Sequence, residues 1–117
     1  MADINPLLEL MEKLRDKDKG CPWDIKQDHN SIAHCSIEEA YELVAAITKN
    51  DQENIKEELG DLLLQVIFHS QIAKENNAFD FNDVIEVLSK KLITRHPTVF
   101  DPNFDLKISA DEQSRLW

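Results

Sequence analysis

The segment "EELGDLLLQVIFH", residues 57–69, belongs to the most apolar helix that the sequence predicts. On a helix that turns about 100° per residue, its apolar side chains spread around most of the circumference, which predicts a buried helix. The polar exceptions Glu58, Asp61, Gln65 and His69 fall within about 80° of one another. An apolar helix with one polar strip is expected at the centre of an assembly, with the strip turned toward something polar.

The rest of the chain predicts further helices and no strand, so the fold class is all-α. Only 2 glycines and 4 prolines occur, and apolar residues recur mostly at helical spacing. We expect four main helices and a short fifth one near the end. The first helix begins near Asn5, and the second covers residues 29–49 with an interruption allowed near Ser36. The third runs from an Asn50 or Asp51 cap to about Glu75. The fourth spans residues 82–95, before Pro97, and the short fifth helix starts at Asp111.

Length and charge restrict the class of protein. A chain of 117 residues predicts one domain, residues 1–117, whose modest core would gain most from association between copies. The formal charge of −10 argues against binding to a nucleic acid polymer or an anionic membrane. The start of the chain has no targeting pattern, and no apolar run approaches the roughly 20 residues of a membrane span. We therefore expect a cytoplasmic protein with no membrane partner.

The two cysteines predict reduced thiols. Cys21 and Cys35 form neither a Cys-x-x-Cys pair nor part of a Cys/His cluster, so a disulfide or a cysteine metal site is not expected. Cys21 and Trp23, in the loop "RDKDKGCPWD" of residues 15–24, are expected to turn inward.

Two short acidic stretches share one pattern, in "EEAYE", residues 38–42, and "EELGD", residues 57–61. Each has two adjacent acids and a third acid three residues after the second. Residues three apart lie on the same face of a helix, so Glu39 with Glu42, and Glu58 with Asp61, point the same way. Two antiparallel helices would bring these four carboxylates together.

Four converging carboxylates repel one another and need a cation. An all-oxygen ligand set favours Mg²⁺, with Mn²⁺ the other option. Iron is disfavoured, because no histidine completes the Glu-x-x-His motif of di-iron bundles. Two alternatives stay open: Ser36 with Glu39 fits a capping box, and acidic pairs on helices often form solvated faces.

A basic pair and an aromatic residue complete the candidate site. Lys91 and Arg95 are four residues apart on one helix, so both can point toward a phosphate chain, although basic residues in a last helical turn also favour the helix dipole. His69 is expected to orient a neighbour or to pack in the core rather than to ligate. Trp117 either covers the core or stacks on a base.

These segments together resemble the MazG family of nucleoside triphosphate pyrophosphohydrolases, over roughly residues 7–100. The resemblance depends on the paired acids joined to a Gly-Cys-Pro-Trp-Asp loop and a Lys-x-x-x-Arg-His-Pro segment. The matching stretches are "GCPWDIKQDHNSI" (20–32), "IEEAYELVAAI" (37–47), "EELGDLLLQVIFHSQIA" (57–73) and "KLITRHPTVF" (91–100).

The resemblance implies an all-α MazG-like bundle that associates into a homodimer or homotetramer. It implies hydrolysis of a nucleoside triphosphate to the monophosphate and pyrophosphate, with a divalent ion required and a role in nucleotide-pool house-cleaning. The metal ligands it implies are Glu39, Glu42, Glu58 and Asp61. Its implied substrate contacts are Lys91 and Arg95 for phosphates and Trp117 for the base.

The chain departs from the usual family pattern in places. Thr98 stands where relatives usually have a second histidine, and Cys35 stands where they often have an aromatic residue. Neither change removes an implied ligand. Because many relatives continue past the tryptophan or carry a second copy of the domain, the chain is expected to be a short form or a first copy, which in some relatives is mainly structural.

The leading hypothesis is metal-assisted in-line attack of water on the triphosphate. Glu38 is the first candidate to orient or deprotonate that water and Glu57 the second, because each adjoins the ligand set. The alternative function is a non-catalytic assembly module that holds an oligomer or a partner. A phosphoribosyl-ATP pyrophosphohydrolase or a dUTP-specific relative ranks below a broad nucleotide enzyme, since the Cys-Pro-Trp and Arg-His-Pro segments favour MazG.

Overall fold

The structure, a computed structural model, describes residues 2–103 and 108–117, and the regular structure in these ranges is helical throughout. This confirms the all-α prediction. The helices are α1 (Asn5–Leu14), α2 (Pro22–Lys26), α3 (His29–Thr48), α4 (Gln52–Glu75), α5 (Phe81–Thr94), α6 (Pro97–Phe100) and α7 (Ala110–Leu116).

The predicted helix boundaries agree with the structure except in three places. The short helices α2 and α6 were not predicted, since each has only one turn and begins at a proline. The interruption near Ser36 is wrong, because α3 is continuous. Its capping box lies at the true start: Asp28 accepts a hydrogen bond from the Ser31 backbone N–H, and the Ser31 hydroxyl accepts one from the Asp28 backbone N–H, both 2.8 Å.

Asparagine in the left-handed conformation ends both long helices. Asn50 follows α3 with φ of 54°, and Asn77 follows α4 with φ of 58°. After α3, the Asp51 N–H donates to the Ala46 carbonyl and the Asn50 N–H donates to the Ile47 carbonyl, and the same pattern recurs after α4. These are Schellman motifs, in which asparagine tolerates a backbone conformation that most side chains resist. The Asp51 side chain then caps α4, as predicted.

The chain divides into two compact units, Met1–Phe81 and Asn82–Trp117, each described by itself. In the first unit α3 and α4 pack along each other, and α1 packs against α4. Only a three-residue turn joins α3 to α4, so the two form an antiparallel helical hairpin. The buried core is a cluster of apolar side chains from these three helices: Met11, Ile32, Ile67, Phe68 and Ile72.

Arg15 connects the loop and the short helix α2, which precede α3, to the end of α4. Its guanidinium donates to both carboxylate oxygens of Glu75, at 2.8 and 2.9 Å, and to the backbone carbonyls of Asp24 and Gln27. Gly20 is needed in the same loop, since an added Cβ would lie 2.4 Å from the Leu14 carbonyl oxygen. Trp23 packs edge-on against Phe68 yet stays 57% exposed, so its predicted inward position is only partly correct.

The first half of α4 is less buried than the sequence predicted. Leu59 is 50% exposed and Leu64 is 40% exposed, whereas the buried residues of α4 begin at Ile67. Helix α3 likewise exposes Ile37, Tyr41 and Val44, which line an open apolar groove of about 360 Å³.

Among residues 2–103 and 108–117, every helix is too short or too polar to cross a bilayer.

In the second unit, α7 is fastened to the end of α5. The Gln113 side-chain amide and the Arg95 guanidinium donate to the backbone carbonyls of Arg95 and Trp117, respectively. The guanidinium carbon of Arg95 also lies 5.3 Å from the centroid of the Trp117 ring, a cation–π contact. The second unit therefore joins two of the residues predicted to bind substrate.

Candidate metal centre

Four carboxylates converge between α3 and α4. Glu39 and Glu42 lie one helical turn apart on α3, and Glu58 and Asp61 lie one turn apart on α4. One coordinating oxygen from each of the four lies within 4.8 Å of the other three. The helical hairpin thus brings together the four residues that the sequence predicted as metal ligands, which we call the acid cluster.

The inner part of the acid cluster contains two buried carboxylate oxygens that have no hydrogen-bond partner. Glu39 and Glu58 are half-buried, and the Oε2 atom of each is fully buried with no hydrogen-bond partner. Glu42 on α3 and Asp61 on α4 are exposed, so one acid of each helix contacts solvent. A buried carboxylate oxygen without a donor is costly in a protein, so these two atoms call for a cation or a proton.

The electrostatics of the acid cluster favour protons in the absence of a cation. Burial raises the pKa of Glu39 to about 7, helped by a hydrogen bond with Glu42 and by the charges of Glu42, Asp61 and Glu58. Burial also raises the pKa of Glu58, followed by the hydrogen bond and charge of Glu42 and the charges of Asp61 and Glu57. Each carboxylate therefore makes ionisation of the next more costly.

The donor set fits a hard divalent cation. All four side chains offer oxygen, two of the oxygens lack any donor, and the two exposed acids leave one side of the cluster accessible to solvent. Mg²⁺ and Mn²⁺ prefer carboxylate oxygens together with water or phosphate oxygens. The acid cluster could hold such an ion, with room for further ligands on the open side.

The two candidates for activating water occupy different surroundings. Glu57 is exposed next to Glu58 and is close enough for its charge to raise the Glu58 pKa. Glu38 is also exposed, and its carboxylate groups with His34 and Cys35 rather than with the four acids.

The predicted substrate residues all belong to the second unit. Lys91 and Arg95 lie one turn apart at the end of α5, where the Arg95 N–H donates to the Lys91 carbonyl at 2.9 Å. Trp117 is 59% exposed, and the His96 ring lies 6.4 Å from its ring centroid. Arg95 and Trp117 contact each other directly, as described above.

The sequence reading missed two histidine contacts. His69 stacks on His29 with ring centroids 5.0 Å apart, and their Nδ1 atoms are 2.7 Å apart. Cys35 groups with His34 and Glu38, a cluster that the sequence analysis did not include. The His34, Cys35 and Glu38 cluster could have been predicted from the pattern His-Cys-x-x-Glu on a predicted helix. The contact between His29 and His69 could not, because the two residues are 40 positions apart in the sequence.

Similarity to known proteins agrees with this geometry. A profile of the MazG nucleotide pyrophosphohydrolase domain matches residues 27–100, which hold all four acids. The chain is 50% identical, over 93% of its length and 45% of the relative's, to "Nucleoside triphosphate pyrophosphohydrolase/pyrophosphatase MazG" of Thermotoga maritima. It is 48% identical, over 86% of its length and 38% of the relative's, to "Nucleoside triphosphate pyrophosphohydrolase" of Escherichia coli K12.

A solved structure extends the similarity to the fold. The crystal structure of a MazG-related protein from Thermotoga maritima superposes with a TM-score of 0.72 and 30% identity, covering 96% of this chain and 93% of that one. The chain spans less than half the length of the two curated relatives above. The profile match and the solved structure establish that the chain belongs to the MazG nucleotide pyrophosphohydrolase domain family.

Proposed function

We propose that this domain hydrolyses a nucleoside triphosphate to the nucleoside monophosphate and pyrophosphate, using Mg²⁺ or Mn²⁺ held by the acid cluster. One observation carries the proposal: the Oε2 atoms of Glu39 and Glu58 are buried without a donor inside a four-carboxylate group. A cation at that point satisfies both oxygens and explains why the fold retains four repelling charges.

The proposed roles divide among the side chains by charge. Glu39, Glu42, Glu58 and Asp61 bind the metal, which when bound supplies Lewis acidity and neutralises the charge of the triphosphate. Glu38 or Glu57 orients the attacking water and accepts its proton, since both are exposed carboxylates beside the acid cluster on the sequence.

In the second unit, two cations and one aromatic residue are proposed to bind the substrate. Lys91 and Arg95 bind phosphate oxygens, and Trp117 stacks on the base. The contact between Arg95 and Trp117 supports this assignment, because it places a phosphate-binding group next to a flat aromatic surface. A role in removing aberrant or surplus triphosphates is proposed on the strength of the family resemblance alone.

The chain is further proposed to associate with a second copy of itself, as a homodimer or a larger homo-oligomer. The support is the exposed apolar surface of α3 and α4, including Ile37, Tyr41, Val44, Leu59 and Leu64. An apolar surface of this extent is typical of protein interfaces. Sedimentation analysis tests the association: Val44→Glu should reduce the mass of the assembly, and a monomeric wild-type protein would contradict it.

The second candidate function is a non-catalytic assembly module. The same exposed apolar surface favours it, because that surface would serve an oligomer or a partner even in the absence of chemistry. The domain also corresponds to only part of the curated relatives, whose remaining length could carry the activity.

One experiment separates the two functions. The purified protein is incubated with a panel of ribonucleoside and deoxyribonucleoside triphosphates in Mg²⁺ or Mn²⁺, and both monophosphate and pyrophosphate are quantified. The pyrophosphohydrolase predicts equimolar monophosphate and pyrophosphate that disappear when the metal is chelated. An assembly module predicts no product from any nucleotide at any metal concentration.

A further inference from the structure

Three side chains with different donor atoms meet on α3, within residues 34–38, which directly precede the acid cluster. His34 offers a ring nitrogen, Cys35 a sulfur and Glu38 a carboxylate oxygen, and one coordinating atom from each lies within 4.8 Å of the other two. We call this group the mixed-donor cluster. It shares no residue with the acid cluster, although Glu38 and Glu39 are neighbours in the chain.

One pair of donors already has the spacing of metal ligands. His34 Nε2 and Cys35 Sγ are 3.6 Å apart. In a tetrahedral zinc site with Zn–N about 2.05 Å and Zn–S about 2.3 Å, the nitrogen and sulfur ligands lie about 3.6 Å apart. An ion could therefore bind both atoms without moving the helix backbone.

The core holds the sulfur in place, while the other two donors can adjust. Cys35 is half-buried and packs against the apolar core, which restricts the position of its sulfur. His34 and Glu38 are exposed and four residues apart, so they lie on the same side of α3 one turn from each other. Exposed side chains can adjust their rotamers to close around an ion, while the sulfur stays in place.

The donor types determine which cation would bind. Thiolate and imidazole are ligands for Zn²⁺ and related transition metals, whereas Mg²⁺ prefers oxygen alone. We propose that His34, Cys35 and Glu38 form a second metal site, specific for a divalent transition metal such as Zn²⁺ and separate from the acid cluster. The fourth coordination position is filled by water or by an external ligand.

Binding at the mixed-donor cluster exchanges a proton for the metal. The Cys35 thiol releases its proton to solvent as the sulfur–metal bond forms, while neutral His34 and ionised Glu38 donate lone pairs. No oxidant or reductant takes part. The proposed function gives Glu38 as one candidate to orient the attacking water. If Glu38 has that role, a metal ion bound to its carboxylate prevents this, so Zn²⁺ is expected to slow turnover.

Cobalt provides a direct probe, because a Co²⁺–thiolate bond gives a charge-transfer absorption band in the near ultraviolet that an all-oxygen site does not give. The reduced full chain, with Mg²⁺ in excess to occupy the acid cluster, is titrated with Co²⁺. We expect the band to saturate at one Co²⁺ per chain and to disappear when one equivalent of Zn²⁺ is added, because Zn²⁺ binds such donors more tightly.

Variants assign the band to the mixed-donor cluster. Cys35→Ser should abolish it, and Cys21→Ser, which changes the other free cysteine, should retain it. His34→Ala changes an exposed residue, so it tests the site without disturbing the core, and it should weaken Co²⁺ binding by at least about tenfold.

Three results would overturn the proposal. They are the absence of the band in the wild-type protein, a band of unchanged intensity in Cys35→Ser, and an unchanged Co²⁺ affinity in His34→Ala. Because Cys35 contacts the core, the circular dichroism of Cys35→Ser is measured as well, and if that variant unfolds, the His34→Ala titration decides the matter.

Discussion

Glu39 on α3 and Glu58 on α4 each bury one carboxylate oxygen without a hydrogen-bond partner, within a group of acids whose coordinating oxygens lie within 4.8 Å of one another. Burial raises the pKa of both residues, and the charges of neighbouring carboxylates raise it further. The protein thus keeps at its helical hairpin a charge arrangement that lowers stability unless protons or metal ions neutralise it.

The raised pKa of Glu39 predicts that its contribution to stability falls as pH rises. Glu39 titrates near 4.5 in an unfolded chain and at about 7 in the folded protein. Between these pH values the unfolded chain binds fewer protons than the folded protein. The stabilising contribution of the Glu39 carboxyl group is therefore complete below pH 4.5 and is lost as pH rises through about 7. Thermal midpoints of the wild type and Glu39→Gln are measured from pH 4 to 8 without metal. As pH increases, the midpoint of the wild type should fall relative to that of Glu39→Gln.

Mg²⁺ provides the control for this pH dependence. Because the ion binds the ionised carboxylates, it should raise the wild-type midpoint more at pH 8 than at pH 5 and should affect Glu39→Gln much less. A difference between the two proteins that stays constant with pH would show that Glu39 is not desolvated.

Arg15 is predicted to contribute more to stability than an exposed ion pair. Its side chain is only 7% exposed and donates to Glu75 and to the carbonyls of Asp24 and Gln27. Arg15→Lys keeps the charge but loses the fork geometry, which should cost about 1.5–3 kcal/mol in the free energy of unfolding by urea. Lys74→Ala removes an exposed pair with Glu12 and should cost under about 1 kcal/mol. Equal losses in both variants would refute this role for Arg15.

The contact between His29 and His69 predicts a depressed histidine pKa. Burial lowers the pKa of His69 below its usual 6.5, and the neighbouring His29 lowers it further. The stabilising contribution of neutral His69 is therefore present above pH 6.5 and is lost as pH falls through the folded-state pKa. Titration of the histidine ring protons by NMR measures this value directly. Replacing His29 with Gln should raise the His69 pKa, and an unchanged value would exclude an electrostatic effect of His29.

Much of the fold could be predicted from the sequence, because helix signals are local. Pro6, Asp51 and the residue before Pro97 mark boundaries that depend on only a few neighbouring residues. The burial of α4 could not be predicted in the same way. Its apolar pattern requires that Leu59 and Leu64 be covered, but the pattern does not say whether a helix of the same chain or of another copy covers them.

The candidate site divides along the same line. The acid cluster was predictable because the three-residue spacing on each helix fixes a face, and the short turn between α3 and α4 brings the two faces together. The place of Glu38 was less predictable. Its neighbour Glu39 faces the acid cluster, but one residue along the helix turns the side chain by about 100°, which places Glu38 beside His34 and Cys35 instead.

Lys91 is predicted to affect substrate binding more than turnover. Its ammonium group is proposed to contact the phosphates, so Lys91→Ala should raise KM for a nucleoside triphosphate about tenfold, with a smaller change in kcat. The adjacent Lys90 on α5 provides the matched control, because Lys90→Ala removes the same charge from a different face of the helix. Steady-state pyrophosphate release with both variants measures the effect, and equal KM values for the two would remove Lys91 from the phosphate site.

Mg²⁺-dependent pyrophosphate release by Asp61→Ala shows whether the acid cluster holds the metal on which the proposed hydrolysis depends. Asp61 is exposed, so its removal should leave the fold intact by circular dichroism. We expect a loss of at least about 100-fold in rate, since a bound metal contributes several kcal/mol of transition-state stabilisation. Glu53→Ala, an exposed acid on the same helix, should keep the wild-type rate. A folded Asp61→Ala variant that also keeps the wild-type rate would show that hydrolysis does not depend on a metal held by the acid cluster.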